Sequence, residues 1–436
     1  MTARSPVLVL GGGPAGAAAA GLLAKNGAPV LVVEREAFPR PHVGESLQPA
    51  TFDLLRRHLG LDFSADGFAR KYGAVYVWGE HREPWSVLFD ERLDRDLPDL
   101  DEAGLLAADY EHAWQVDRAT FDHRLLRAAA DHGAEVRHGW TAEAPLMDGD
   151  RVVGVRLRDP DGGLHDQPAA HVLDCTGQRC LMGRRLGGTR LVSDLQATAT
   201  YAYFDGAGGV AGPLGRHVQL VVSLPQGWAW FIPTSPTRTS VGLVHRLKER
   251  LDLERFRALL APARLPLDGA TLVNPARPLH HSRDWSFTHQ RFTGPGWTLV
   301  GDAACFVDPI LSGGVDFAVR GAFAAAVAVL DGSPAAYERY ATDLRRDYKA
   351  YLRLARYWYG NNRSVDGLFW QAHDSIPAAA TSTPTRAFVY LTSGRYAADR
   401  HLQIFAAWQE RRMFRALGVD ADRLAAARRR GSAPDT

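Results

Sequence analysis

Val7-Leu8-Val9-Leu10-Gly11-Gly12-Gly13-Pro14-Ala15-Gly16 decides the fold. Its four leading apolar residues read as a buried parallel strand. The Ala- and Leu-rich run from Pro14 to Lys25 has high helix propensity. Val30-Leu31-Val32-Val33 reads as a second buried strand that ends at Glu34 and Arg35. Together they form one βαβ unit. In Gly11-x-Gly13-x-x-Gly16 the first glycine permits a tight turn and the second lets the backbone approach a pyrophosphate. The third allows close packing of helix on strand, while Pro14 and Ala15 open a helix whose free N–H groups face the phosphates. Glu34 can accept hydrogen bonds from a ribose diol, and an acid there disfavours a 2′-phosphate, so FAD or NAD fits better than NADP. A glycine turn alone is a weak signal; the full strand–turn–helix–strand–acid series is specific.

Working outward, 436 residues exceed one small core and fit two interlocked domains with an appendage. Apolar residues at 46% and charged residues at 23% place the chain among ordinary globular proteins. A net charge of +2 gives no argument for a nucleic-acid or membrane partner. Three cysteines, Cys175, Cys180 and Cys305, match neither a disulfide framework nor a zinc pattern and suit a reducing compartment. The apolar stretch Val7 to Ala24 is interrupted by its glycine turn, so it reads as strand and helix rather than as a leader or span. The expected location is cytoplasmic, and the basic Arg428-Arg429-Arg430 run reads as part of a solvated, disordered tail.

Later segments extend the pattern. Phe121 to Ala130 reads as a helix, Val172-Leu173-Asp174 as a strand end, and Trp297-Thr298-Leu299-Val300 as a late strand entering Gly301-Asp302, with a helix near Phe317 to Leu330. Gln196–Phe204, His217–Ser223, Trp228–Pro233 and Thr239–His245 alternate or run apolar between turn residues, which suggests an antiparallel sheet roofing a pocket. The α/β assignment is therefore a Rossmann-type FAD-binding domain assembled from residues 1–60, 105–180 and 285–330. A substrate domain with an interleaved antiparallel β-sheet comprises 61–104 and 181–284, and a helical C-terminal region with a disordered tail comprises 331–436.

Trp114-Gln115-Val116-Asp117-Arg118-Ala119-Thr120-Phe121-Asp122 and Val300-Gly301-Asp302-Ala303-Ala304 resemble the two further FAD segments of glutathione-reductase-like flavoproteins, in their monooxygenase branch. That likeness implies FAD contacts from Gln115, Arg118, Gly301 and Asp302. A helix-surface salt bridge for Arg118 and an N-cap for Asp302 are the plainer alternatives. No second GxGxxG-plus-acid unit is present, so reduced flavin is expected from a separate flavin reductase.

Four strings resemble the flavin-dependent halogenases more narrowly. Gly227-Trp228-Ala229-Trp230-Phe231-Ile232-Pro233 matches that family's WxWxIP; two Trp at i and i+2 share one strand face and can wall a tunnel, or simply pack the core. Phe306-Val307-Asp308-Pro309-Ile310-Leu311-Ser312-Gly313-Gly314 matches FxxPxxSxG. The resemblance implies that Pro309 lies beside FAD, Ser312 at the tunnel, and chloride or bromide at the N–H groups of Gly313 and Gly314, a backbone nest suited to a small anion. Phe68-Ala69-Arg70-Lys71-Tyr72-Gly73, followed by Trp78-Gly79, resembles the segment that carries the active-site lysine, mapping it onto Lys71; taken alone, Lys71 reads as a surface lysine. His42-Val43-Gly44-Glu45-Ser46-Leu47 resembles a string beside the flavin, with Ser46 a contact.

The resemblance covers residues 5 to 320 most densely and continues weakly through Phe369-Trp370 and Phe388 to Gly394. It implies FADH2- and O2-dependent halogenation, chlorination first, of an electron-rich aromatic in natural-product biosynthesis. The route implied runs through a flavin C4a-hydroperoxide, hypohalous acid and the lysine. Tryptophan halogenases carry Glu before the loop serine; Leu311 stands there in this chain, which favours phenol- or pyrrole-type substrates, free or carrier-protein-tethered. Asp316 is unexplained at this level. No metal is expected, since His280-His281 lacks companion ligands. The rival readings are an FAD-dependent aromatic hydroxylase, a flavin reductase or dehydrogenase acting on isoprenoid-like chains, and a non-catalytic flavoprotein or carrier-protein-binding module.

Overall fold

The structure is a computed structural model that describes residues 5–78, 83–283, 286–360 and 389. The chain divides into a unit of residues 1–363 and another of 364–436, of which only Val389 is described. The expected disordered tail, with Phe369-Trp370 and Phe388 to Gly394 save Val389, lies outside the described residues. No described helix is long and apolar enough to cross a membrane.

The opening stretch forms strand Val7–Leu10, helix Pro14–Lys25 and strand Val30–Glu34, all with buried faces. They enter a six-stranded sheet ordered Thr293–Gly294, Trp297–Leu299, His171–Asp174, Val7–Leu10, Val30–Glu34 and Glu135–His138. Its central pairings are parallel, and only the Thr293–Gly294 edge is antiparallel. Helix Pro14–Lys25 is buried from Pro14 to Ala24 because Ala and Gly let it lie close to helices Arg118–Asp131 and Gly314–Asp331. A methyl group on Gly16 would overlap the Gly11 carbonyl oxygen, so the third glycine of the turn is required by packing alone.

A second sheet forms the roof. Its order is Thr271–Leu272, Thr198–Asp205, Arg238–His245, Gly227–Pro233, Val218–Leu224, Gly73–Val77 and Pro84–Leu88, and His280–Arg283 also pairs with Thr198–Asp205. The expected antiparallel sheet is thus a mixed one. Val218–Leu224 meets Gly73–Val77 in parallel, because a hairpin from far earlier in the chain completes the sheet. Trp230 lies across the sheet from Gly242, whose bare Cα leaves room for the indole ring.

Several elements were not foreseen. Thr141–Asp148, Arg151–Arg158 and Leu164–Pro168 form a three-stranded antiparallel meander inserted before His171–Asp174. Its turns, Asp148-Gly149-Asp150 and Asp161-Gly162-Gly163, were the available signal. Ala69–Lys71 pairs with Ala113–Gln115 in a separate two-stranded ladder. Helix Pro334–Gly360 follows helix Gly314–Asp331 and packs on it.

Candidate functional site

A cavity of about 580 Å3 runs from the glycine turn to the roof sheet, within the usual range for cofactor and ligand sites. Gly11, Gly13, Pro14, Ala15, Glu34 and Arg35 line its first end. Helix Pro14–Lys25 starts at Gly13 with no side-chain cap and no acid in its first turn, leaving its N–H groups and positive dipole end free for an anion. A methyl on Gly11, whose φ is +99°, would sit 2.5 Å from the Cys175 carbonyl oxygen, and the Arg40 guanidinium would lie 3.4 Å from one on Gly13. The turn therefore presents bare backbone beside a cation, as a pyrophosphate requires. The buried Glu34 carboxylate accepts from Gly12 N–H at 2.7 Å and Glu36 N–H at 2.8 Å, which fixes it at the cavity wall. Arg35 reaches outward to Glu36 at 3.1 Å.

Arg118, the first residue of its helix after the N-cap Asp117, is held rigidly. Its guanidinium forms a two-point pair with Asp122, Nε to Oδ1 at 2.7 Å and Nη2 to Oδ2 at 3.0 Å, and donates to the Val43 carbonyl at 2.7 Å. Burial works against its charge, but the Asp122 carboxylate outweighs it, so the pKa ends above the ordinary value. Asp122 and Arg40, 3.4 Å apart, were missed by sequence reasoning. The i,i+4 spacing of Arg118 and Asp122 was the available signal for the first, and nothing marked the second. Asp302 lines the cavity nearby, its carboxyl pushed up to about 6 by burial while Arg118 opposes the rise. Gly301, at φ +61°, stands against Ala15 rather than in the cavity. Ser46 lines the cavity, and its buried hydroxyl has no partner among the described residues. Gln115 is buried outside the lining, donating to the Arg216 and Val218 carbonyls. The glycine cradle, the uncapped helix start, the acid at Glu34 and the orphaned Ser46 hydroxyl fit a dinucleotide such as FAD.

The far end is aromatic. Trp228 and Trp230 line it with ring centroids 6.0 Å apart, and Tyr201 stands 6.0 Å from Trp230. Pro309, Ser312 and Gly314 line it from the loop. Ser312, not a glycine, adopts the left-handed conformation at φ +54°, and Gly313 follows at φ −90°, an alternation that turns successive N–H groups to one side. The Ser312 hydroxyl bonds Gln219 Oε1 at 2.9 Å. Gly313 is absent from the lining because the Tyr351 ring covers it; any side chain there would strike that ring. Leu311 is buried, its carbonyl accepting from Gln48 at 3.0 Å, so no carboxylate occupies that place. Asp316, in the first turn of helix Gly314–Asp331, binds Arg320 at 2.5 Å and accepts from Thr51 at 3.3 Å. It pins that helix to helix Pro49–Leu59, which accounts for its presence.

Lys71 is 3% exposed. It ends the Ala69–Lys71 ladder strand, and its amine donates to the Leu47 carbonyl at 3.0 Å, with the Phe89 ring 5.4 Å away. Burial draws its pKa down to about 7. Lys71 is not itself in the lining, but Leu47 is, so the amine stands directly behind that wall. Glu45 also lines the cavity; the Tyr203 hydroxyl donates to it at 2.8 Å, and burial raises its pKa against that bond. Among the described residues no group of three or more His, Cys, Asp or Glu could hold a metal, and the three cysteines are free and buried.

A parallel sheet carrying a dinucleotide cradle, closed over by a mixed sheet, defines an α/β dinucleotide-binding class. Comparison with known proteins is narrower. The model of the family described as tryptophan halogenase matches residues 6–100 and 92–426. A tryptophan 2-halogenase of Chondromyces crocatus is 34% identical over 76% of this chain, which spans 62% of that relative's length. A 1H-pyrrole-2-carbonyl-(peptidyl-carrier protein) chlorinase of Pseudomonas fluorescens is 30% identical over 82% of this chain and 84% of its own. The structure of the myxobacterial chondrochloren halogenase CndH, described as a new variant of FAD-dependent halogenases, superposes with a TM-score of 0.75 at 32% identity. It covers 92% of this chain and 96% of its own. The chain belongs to the tryptophan halogenase family.

Proposed function

We propose that the chain is an FAD-dependent halogenase acting on an electron-rich aromatic, a phenol or pyrrole, free or tethered to a carrier protein, with chloride or bromide as halogen source and a separate flavin reductase as partner. The observation that carries this reading is Lys71: a buried amine with its pKa near 7, set behind the wall of a cavity that joins a dinucleotide cradle to two tryptophans. Burying a lysine without a carboxylate beside it is costly, and such groups cluster where chemistry uses them. Reduced FAD would supply the activation of O2. Gly11, Gly13, Glu34, Arg118 and Asp302 would hold the cofactor, and the N–H group of Gly314, the loop glycine that lines the cavity, would hold the halide, with Gly313 set back beneath Tyr351. Trp228 and Trp230 exclude water from the passage. The neutral Lys71 amine can hydrogen-bond hypohalous acid or take its halogen, forming a chloramine and releasing water. The oxidant is then placed rather than diffusing. The relatives named for tryptophan and for carrier-bound pyrrole bracket the substrate class, and Leu311 supports the phenol or pyrrole side.

The test supplies FAD, a flavin reductase, NADH, O2 and chloride or bromide with free and carrier-bound phenols, pyrroles and tryptophan, and reads halogen isotope patterns by mass spectrometry. Halogenated product that disappears in Lys71→Ala, while FAD binding and flavin oxidation persist, is the expected result. Halogenation surviving in that variant removes Lys71 from the mechanism. An oxygenated, halide-independent product would decide for the hydroxylase.

A further inference from the structure

We infer that Tyr359 is a positioning residue for Trp228: its hydroxyl ties the tunnel-wall indole to the Asp308 carboxylate of the halide loop and so keeps the passage toward Lys71 sealed. The inference rests on the halogenase reading above. Three separate elements meet at this hydroxyl. Trp228, on strand Gly227–Pro233, donates from Nε1 to the Tyr359 oxygen at 2.8 Å. Tyr359, near the end of helix Pro334–Gly360, donates its proton to Asp308 Oδ1 at 3.0 Å. Asp308 caps the short turn Pro309–Leu311 by accepting from Ile310 N–H at 2.9 Å. That turn leads straight into Ser312-Gly313-Gly314. A hydroxyl both accepts and donates, so tyrosine completes this relay, and phenylalanine cannot.

The two tunnel tryptophans differ in this respect. The Trp230 indole bonds Ser240 at 3.0 Å within its own sheet, whereas Trp228 is anchored outside it. Trp228 is 4% exposed, and burying an indole N–H with no acceptor is unfavourable. The same helix brings Tyr351 onto Gly313. The helix therefore touches both the halide loop and the tunnel ring, and Tyr359 is where the two are joined by polar bonds. Burial and the neighbouring Asp308 charge hold the Tyr359 phenol well above its ordinary pKa, so its proton stays available for the bond.

The test is Tyr359→Phe, which keeps the ring and removes the hydroxyl. Aromatic product per reduced flavin consumed is measured alongside halogenation of a soluble 1,3-diketone trap. The expected result is at least a fivefold fall in that ratio with a matching rise in trapped halogen, while FAD affinity stays within twofold. Trp228→Phe cuts the same link from its other end, and the double variant should lose no more than either single one. A second readout needs no turnover. In protein labelled with 15N-tryptophan, the indole N–H signal that vanishes in Trp228→Phe should shift in Tyr359→Phe. Unchanged coupling, fully multiplicative losses or an unshifted indole signal would overturn the inference. If the wild type halogenates nothing, the halogenase reading falls by itself, and the indole signal still decides the link. If Tyr359→Phe does not fold, Trp228→Phe carries the trap experiment, and coupling equal to wild type there overturns the inference.

Discussion

Lys71 is a cation placed where a cation is expensive, and its titration has consequences that can be measured. Burial lowers its folded pKa to about 7 from the ordinary 10.5. Between those two values the unfolded chain binds a proton that the folded chain has released, so this residue makes stability rise with pH across that window. Below pH 7 both states are protonated and the full penalty applies, about 5 kcal/mol at most. Lys71→Met should therefore raise the urea midpoint most at pH 6, with the gain fading towards pH 10. A gain independent of pH would show that the ammonium is not what costs stability. The neutral amine that the proposed chemistry needs increases over the same range, so the rate of the halogen-transfer step should climb through pH 7 in single-turnover assays. None of this burial was legible in the sequence, where Lys71 is one basic residue among many and only the string around it singled it out. Ser312 is a parallel case: the serine, not either glycine beside it, takes the left-handed conformation, while Gly313 and Gly314 are kept small by the Tyr351 and Phe306 rings beside them.

At the scale of elements, the two halide-loop glycines should respond differently to the same change. A methyl on Gly313 drives into the Tyr351 ring, while on Gly314 it meets the Phe306 edge at 3.0 Å, where a small ring shift suffices. Gly313→Ala should cost about 1–3 kcal/mol by overpacking and displace helix Pro334–Gly360 from the loop, and Gly314→Ala should cost less. Equal thermal shifts in the two variants would contradict this packing account. Arg118 joins helix Arg118–Asp131 to the Val43-Gly44 backbone through a buried pair. Its removal leaves Asp122 with Arg40 as its one cation among the described residues, so Arg118→Ala should lose about 3–5 kcal/mol in denaturation along with FAD affinity. A variant that kept both would place Arg118 outside the site. Elements with strong local signatures were legible: the opening βαβ unit, the roof hairpins and the helix after Gly301-Asp302. The Gly73–Val77 to Val218–Leu224 pairing was not, because a parallel contact between distant segments leaves no periodic mark on either. The relay through Asp308, Tyr359 and Trp228 was invisible for the same reason: its members are joined only by the fold.

For the whole molecule, the cavity is the place where distant stretches of chain converge. The glycine turn at Gly11, Glu34, the Val43–Leu47 segment, Arg118, the Cys175–Arg179 turn and the Asp302–Ala318 region all border it. These pieces belong to different strands and helices, and a dinucleotide lying across them contacts the folded arrangement but not the unfolded chain. Binding must then add to stability by linkage, by about 2.7 kcal/mol when free FAD stands at 100 times its dissociation constant. Gly11→Ala isolates the effect. Its side chain would need φ near +99° and a 2.5 Å approach to the Cys175 carbonyl, so the turn must open where the pyrophosphate would lie. The variant is expected to be less stable in its own right, and for that reason the informative quantity is the difference between urea midpoints with and without FAD. That difference should be present in the wild type and absent in Gly11→Ala. It should also be largely kept in Lys71→Met, whose side chain stands behind the cavity wall rather than in it. An undiminished FAD shift in Gly11→Ala would mean that the cofactor is held without the glycine turn.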